Sequence, residues 1–227
     1  MARILLVDDE ATTREILRDY LATDPTFDVV GEAANGQVAV QQARALTPDV
    51  ILMDMQMPVL DGVGATAQIH RELPQIAILG LSTFSTDRYV VDLLRAGASG
   101  YLVKDTHPKD LIAAVHAVLA GESALSPEVT RHVVRGLESS VPSETVPDAE
   151  LLDVLTDKEL EVIELLAKGL SNREMASSLY VTESTIKARF VKIMEKLGVR
   201  DRVQILVTAI ARGLVTIDEN PHFEPNG

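Results

Sequence analysis

Five side chains in the first half of the sequence stand where short apolar runs end. Asp8 and Asp9 follow residues 3–7, Asp54 follows 50–53, Ser82 follows 76–81, and Lys104 follows 100–103. Three carboxylates brought together repel one another and call for a cation. Hard oxygen donors with room for water suit Mg²⁺. A carboxylate can act as nucleophile toward phosphorus and form an aspartyl phosphate, and Asp54 is the natural candidate. A cation and the Lys104 ammonium would neutralise the charge spread over the transferring oxygens, and the Ser82 hydroxyl could donate to one of them. Taken singly, an aspartate after a strand is ordinarily a turn or a helix cap, and a lysine there is ordinarily solvated. The weight lies in finding the whole set at the ends of successive runs.

Those runs, with another at 27–31, alternate with helical stretches at 11–21, 36–45, 62–72, 87–96 and 108–119. Short apolar runs separated by helices imply parallel strands buried on both faces. The expected fold is α/β, a doubly wound five-stranded parallel sheet, whose strands' carboxyl ends collect the functional groups. The pattern breaks after residue 121. Ser126-Pro127 reads as the start of a short helix, and 139–147, aperiodic with two prolines, reads as an interdomain linker. From residue 155 the pattern is helical throughout. Thr156 with Glu159 and Ser171 with Glu174 form capping boxes, Thr182 caps a third helix that stops at Gly198, and 201–212 makes a fourth. The expected organisation is 1–121, a linker at 122–150, a small all-α four-helix domain at 151–217, and a disordered tail at 218–227.

The 227 residues are 46% hydrophobic and contain no cysteine, which excludes disulfides and thiolate metal sites. No apolar run approaches the ~20 residues of a membrane span, and the N-terminus does not read as a secretory signal. A cytoplasmic protein without membrane association is expected. The net charge of −13 is awkward for a nucleic-acid binder, yet it is unevenly placed. Residues 1–125 hold 9 Lys and Arg against 17 Asp and Glu, whereas 150–217 hold 10 of each. Lys187, Arg189, Lys192, Lys196, Arg200 and Arg202 cluster in the third helix and just after it. A local basic face can bind phosphate on an acidic protein. The third helix has an apolar face (Ile186, Phe190, Ile193, Leu197) and a basic one, as a helix that enters a major groove with its N-terminal residues at the base edges would.

The segments Leu5-Leu6-Val7-Asp8-Asp9, Met53-Asp54-Met55-Gln56-Met57-Pro58 with Asp61-Gly62, Leu81-Ser82-Thr83-Phe84 and Gly97-Ala98-Ser99-Gly100-Tyr101-Leu102-Val103-Lys104-Asp105 resemble the flavodoxin-like receiver domains of two-component response regulators. The run from Leu155 to Ala176, Thr185-Ile186-Lys187, and Lys196-Leu197-Gly198-Val199 with Arg202 resemble the LuxR-type helix-turn-helix. The combination is similar to the NarL/FixJ class. The resemblance implies a transcription regulator rather than an enzyme, phosphorylated on Asp54 by a sensor histidine kinase. It implies Asp9 as direct Mg²⁺ ligand, Asp8 as its acidic neighbour acting through water, and Asp54 and the Gln56 backbone carbonyl as further ligands. Ser82 and Tyr101 become the switch hydroxyl and the switch aromatic, with phosphate drawing Ser82 inward and Tyr101 following. Lys104 becomes the family's lysine. Thr182, Ser184, Thr185, Lys187, Ala188, Arg189, Lys192 and Lys196 become the surface for double-stranded promoter DNA. The active species is expected to be a homodimer. Asp105 stands where many receivers have proline, Arg189 where histidine is frequent, and Val191 where a polar or basic residue is usual, so no operator sequence can be borrowed from relatives.

Two enzyme readings fail on residues. A haloacid-dehalogenase-like phosphatase needs a second aspartate two residues after the nucleophile, where Gln56 stands. A dinucleotide-binding enzyme wants a Gly-x-Gly-x-x-Gly turn after the first strand, where Asp8-Asp9-Glu10 stands. A pure protein-interaction module leaves the second domain without a purpose. The remaining alternative is a phosphorylation-independent regulator with a degenerate receiver.

Overall fold

The structure, a computed structural model, describes residues 1–82, 87–122, 130, 133–134, 136–137 and 148–215. In the N-terminal part β1 (Ala2–Val7), β2 (Phe27–Ala33), β3 (Val50–Asp54), β4 (Ala77–Ser82) and β5 (Gly100–Val103) alternate with α1 (Ala11–Leu21), α2 (Gly36–Leu46), α3 (Gly62–Glu72), α4 (Asp87–Arg95) and α5 (Pro108–Leu119). The strands form one parallel sheet in the order β2-β1-β3-β4-β5, the doubly wound arrangement expected. Side chains alternate across a strand, which divides the core into two layers. Ile4, Leu6, Leu52, Leu79 and Leu81 meet Leu17 and Leu21 of α1 and Leu111, Val115 and Val118 of α5. Leu5, Val7, Ile51, Met53 and Ile78 meet Ala39, Val40 and Ala43 of α2 and Ala65 and Ile69 of α3. The helix starts follow local capping: Val38 N donates to Asn35 Oδ1 at 2.9 Å and Gly64 N to Asp61 Oδ1 at 2.7 Å.

The C-terminal part is α6 (Ala149–Val154), α7 (Asp157–Ala167), α8 (Asn172–Ser178), α9 (Glu183–Leu197) and α10 (Arg202–Ala211). Both expected capping boxes are formed, and Thr182 Oγ1 accepts from Thr185 N. Gly198, in the left-handed region at φ 65°, ends α9. Its core joins Val162, Ile163, Leu166, Met175, Ile186, Phe190, Ile193, Leu206 and Ile210.

Two features go beyond the sequence reading. α6 crosses the expected boundary at 150/151. Six residues are too few to show a helical period, and the helix is anchored by Asp148, whose N donates to Arg212 O and whose Oδ2 pairs with Arg212 Nη1 at 2.8 Å. Thr130, Val133, Val134 and Leu137 have the helical backbone expected after Ser126-Pro127, but they are buried rather than part of an open linker, and Arg95 Nη2 of α4 donates to Leu137 O. Ser126-Pro127, the aperiodic stretch 139–147, Thr83-Phe84 and the tail 218–227 lie outside the described residues.

Candidate functional site

Strand register assembles the pocket. Val7 pairs with Met53, Asp54 with Leu81, and Ser82 with Val103, so the residues at or just past each carboxyl end fall side by side. Lys104 N donates to Ser82 O at 2.8 Å and Asp8 N to Ala33 O at 3.1 Å, fixing both beyond their strands. The chain leaves Asp54 through a loop that returns at Gly62, whose N donates to Met55 O. A Cβ at Gly62 would lie 2.1 Å from the Asp54 carbonyl oxygen, so only glycine lets α3 begin so close to the strand end.

The side chains converge as expected. One oxygen each from Asp8, Asp9 and Asp54 lie within 4.8 Å of one another. Lys104 Nζ stands 2.7 Å from Asp8 Oδ2 and 3.1 Å from Asp54 Oδ1, and Gln56 N donates to Asp54 Oδ1 at 3.4 Å. Asp8 is 0% and Asp54 4% exposed, while Asp9 is open to solvent. Burial pushes the Asp54 carboxyl above its ordinary value; Lys104 counters this, and neighbouring Asp8 adds to it. Burial by itself would lower the Lys104 ammonium, but Asp8 and Asp54 together hold it above the usual lysine value. The pocket opens into a cleft of about 660 Å³ bordered by Glu10, Thr13, Ile16 and Thr106.

Ser82 and Tyr101 are both buried and share a side-chain hydrogen bond. The sequence reading has Tyr101 moving inward only after Ser82 responds to phosphate. In this structure Tyr101 already lies inside, 6% exposed and part of the apolar cluster that also holds Met55, Leu93 and Leu94.

The second set lies on α9. Ser184, Lys187, Ala188 and Lys192 are exposed along it. The hydroxyls of Thr182, Ser184 and Thr185 are tied to one another at the cap, Thr182 Oγ1 lying 2.8 Å from Ser184 Oγ and 2.9 Å from Thr185 Oγ1. The basic residues are not equivalent. Lys192 has no ion pair among the described residues. Arg189 is half-buried, with Nη1 enclosed and unpartnered among the described residues. Lys196 donates to the buried Glu159 at 2.6 Å, inside its own domain. Lys187 pairs at 3.0 Å with Glu122, at the end of the N-terminal domain. Arg202 stacks 4.1 Å over the Phe190 ring and donates to Asn172. The partners Glu159 and Glu122 were missed in the sequence: Glu159 reads there only as half of a capping box, Glu122 belongs to no motif, and only folding brings either to a lysine.

A lysine-bridged carboxylate cluster at the carboxyl end of a flavodoxin-like sheet, followed by a capped helix-turn-helix, defines a signal receiver joined to a DNA reader. Residues 4–116 match the response regulator receiver domain family, and residues 153–209 match the bacterial regulatory proteins, luxR family. The response regulator protein VraR of Staphylococcus aureus is 39% identical over 213 residues, covering 94% of this chain and 98% of its own. The crystal structure of ChrA, from a heme-sensing two-component system, shares 32% identity at a TM-score of 0.50 and covers 94% of this chain and 98% of its own. The signal receiver domain of NarL from Mycobacterium tuberculosis shares 30% identity at a TM-score of 0.52, covering 53% and 98% respectively. The chain belongs to the two-component response regulators of the NarL type, which act as transcription factors. Among the described residues no helix is long and apolar enough to cross a membrane.

Proposed function

We propose that this chain is a transcription regulator switched by phosphorylation of Asp54 by a sensor histidine kinase. The observation that carries it is the Asp8–Lys104–Asp54 bridge, with Asp9 completing the carboxylate cluster. Asp54 Oδ1 takes Lys104 and the Gln56 amide, which leaves Oδ2 to attack phosphorus. The bond to the donor's imidazole nitrogen breaks as the new O–P bond forms, and the imidazole keeps the electron pair and takes up a proton. Lys104, held charged by two carboxylates, turns to the phosphoryl oxygens, and Ser82 donates to another. The residues fit Mg²⁺: three hard oxygen donors in one pocket, one of them open to water, held by Asp8, Asp9, Asp54 and the Gln56 carbonyl. Bound there, the ion would neutralise phosphoryl charge. Incubation with acetyl phosphate and Mg²⁺, read by intact mass, should add one phosphate to the wild type and none to Asp54→Ala. Addition to Asp54→Ala in a chelator-sensitive way refutes the assignment.

The surface for promoter DNA is α9, with Thr182, Ser184, Thr185, Lys187 and Ala188 toward the bases and Arg189 and Lys192 toward phosphates. Glu122 holds Lys187 until phosphorylation separates the domains. Lys196, facing Glu159, supports the helix rather than gripping DNA. The active species is a homodimer, since one reading helix covers only a few base pairs. A phosphorylated chain that stays monomeric by light scattering, free and on its operator, would defeat that part.

A further inference from the structure

Gln204 is the odd residue of α10. Its neighbours Val203, Ile205, Leu206, Ala209 and Ile210 are apolar and buried, and Gln204 is itself only 6% exposed. A buried amide costs free energy unless its donors are satisfied. Here Nε2 donates to Leu94 O at 3.0 Å and to Ala98 O at 2.9 Å, so its donors go to the receiver. Leu94 lies in the last turn of α4 and also accepts from Gly97 N at 3.1 Å, and Ala98 lies three residues past the helix, so both acceptors stand at a helix end that carries partial negative charge. The chain turns there at Gly97, φ 111°, where a Cβ would strike the His70 ring at 2.2 Å. Beside the clamp, buried Asp201 caps α10 and faces Ser99 across the boundary, and Arg200 donates to Gln75 O.

The same few residues lead back to the phosphorylation pocket. Ala98 lies three residues before Tyr101, which is hydrogen-bonded to Ser82. Leu93 and Leu94 share a cluster with Tyr101 and Met55, and Leu93 lies so close to β4 that a Cβ at Gly80 would meet it at 2.2 Å. A core packed this tightly shifts between discrete arrangements rather than yielding gradually. The carbonyls of Leu94 and Ala98 thus lie in the packing that a rearrangement of Ser82 and Tyr101 would disturb, and the clamp is made here with Tyr101 inside.

We infer that Gln204 is the positioning residue by which the DNA-binding domain reads the state of the receiver, its side-chain amide clamping the α4-end carbonyls in one receiver state and losing them in the other. This rests on the proposed phosphorylation switch and assigns its coupling. If the clamp is made only with the unmodified receiver, breaking it must tighten binding of a phosphoryl mimic by the factor it costs the closed form. An interface that merely holds the domains together would open with no change in that affinity.

The experiment uses full-length chain, with small-angle scattering for closure and beryllofluoride with Mg²⁺ as the probe of the pocket. Gln204→Glu keeps the shape but replaces donors with a charge that the α4 end repels. It should open the unphosphorylated chain and tighten beryllofluoride about tenfold, the scale of leaving buried polar groups unpaired. Gln204→Lys keeps a donor at a helix end that favours cations and should stay closed with wild-type affinity, which also controls for folding. Opening by Gln204→Glu without tighter beryllofluoride overturns the inference, as does equal opening by both variants or none by either. If wild type and variants alike bind no beryllofluoride, the phosphoacceptor reading itself fails and the coupling falls with it.

Discussion

The acidic pocket and the basic helix are two charged regions of this molecule that are built on opposite principles. In the pocket each charged group is placed by backbone register, and two of the three carboxylates are buried against one ammonium. On α9 the charges hang from one exposed helix, and their partners come from elsewhere: Glu159 for Lys196, Glu122 for Lys187, none described for Lys192. A run of like charges in sequence is thus not a uniform surface. One lysine serves the fold, one is held by the neighbouring domain, and one faces solvent.

The sharpest way to break this comparison is Lys104→Met. Asp8 and Asp54 would be left buried without their cation, and losing one partner of a buried pair costs about 3 kcal/mol. Thermal unfolding in chelator should show a loss of that order, and added Mg²⁺ should restore part of it. No loss would mean the pocket is as solvated as the helix. On α9, Lys196→Met should cost about 1–3 kcal/mol by leaving Glu159 buried and unpaired, seen as earlier unfolding of the C-terminal domain. Lys192→Ala should leave stability alone, weaken binding on every DNA sequence, and lower the salt dependence by about one counterion. If Lys192→Ala unfolds the domain or Lys196→Met leaves it intact, the division between them is wrong.

Smaller effects test the boundary between the regions. Lys187 is exposed and Glu122 partly so, so Glu122→Gln should raise DNA affinity of the unphosphorylated chain only a few-fold, matching ~1 kcal/mol or less for such a pair. A gel-shift titration that finds no change would remove Glu122 as a brake. The smallest effect is on pH. His70 faces Arg200 and Asp201 from the other domain, and burial holds its pKa below the ordinary 6.5, with Asp201 opposing and Arg200 reinforcing. The closed form therefore favours neutral His70. Closure weakens as pH falls below the ordinary histidine range, because an open form that frees His70 takes up the proton first. Scattering should show slight acid opening that His70→Gln abolishes.

Much of this was written locally. Asp54 follows an apolar run, Thr156 and Glu159 are three residues apart, and Gly198 follows Leu197. Each is a short-range pattern whose physics is complete within a few residues, and the parallel sheet follows once strands alternate with helices. Tyr101 stood out in the sequence only through the resemblance that makes it a candidate switch aromatic; that it is buried depends on the tertiary packing of its apolar cluster. α6 was lost to its length. Gln204 looks in sequence like an ordinary polar residue in the first turn of a helix.

The sequence by itself therefore determined the two-part organisation, the parallel sheet, the longer helices and the acidic pocket, because hydrophobic period, capping and strand order leave few other ways to bury the chain. Only the tertiary structure decided which acid meets which lysine, and that Gln204 donates to carbonyls 110 and 106 residues away. Such pairings depend on how two finished domains meet. No local pattern encodes that, since a buried donor is satisfied equally well by any carbonyl that folding brings within 3 Å.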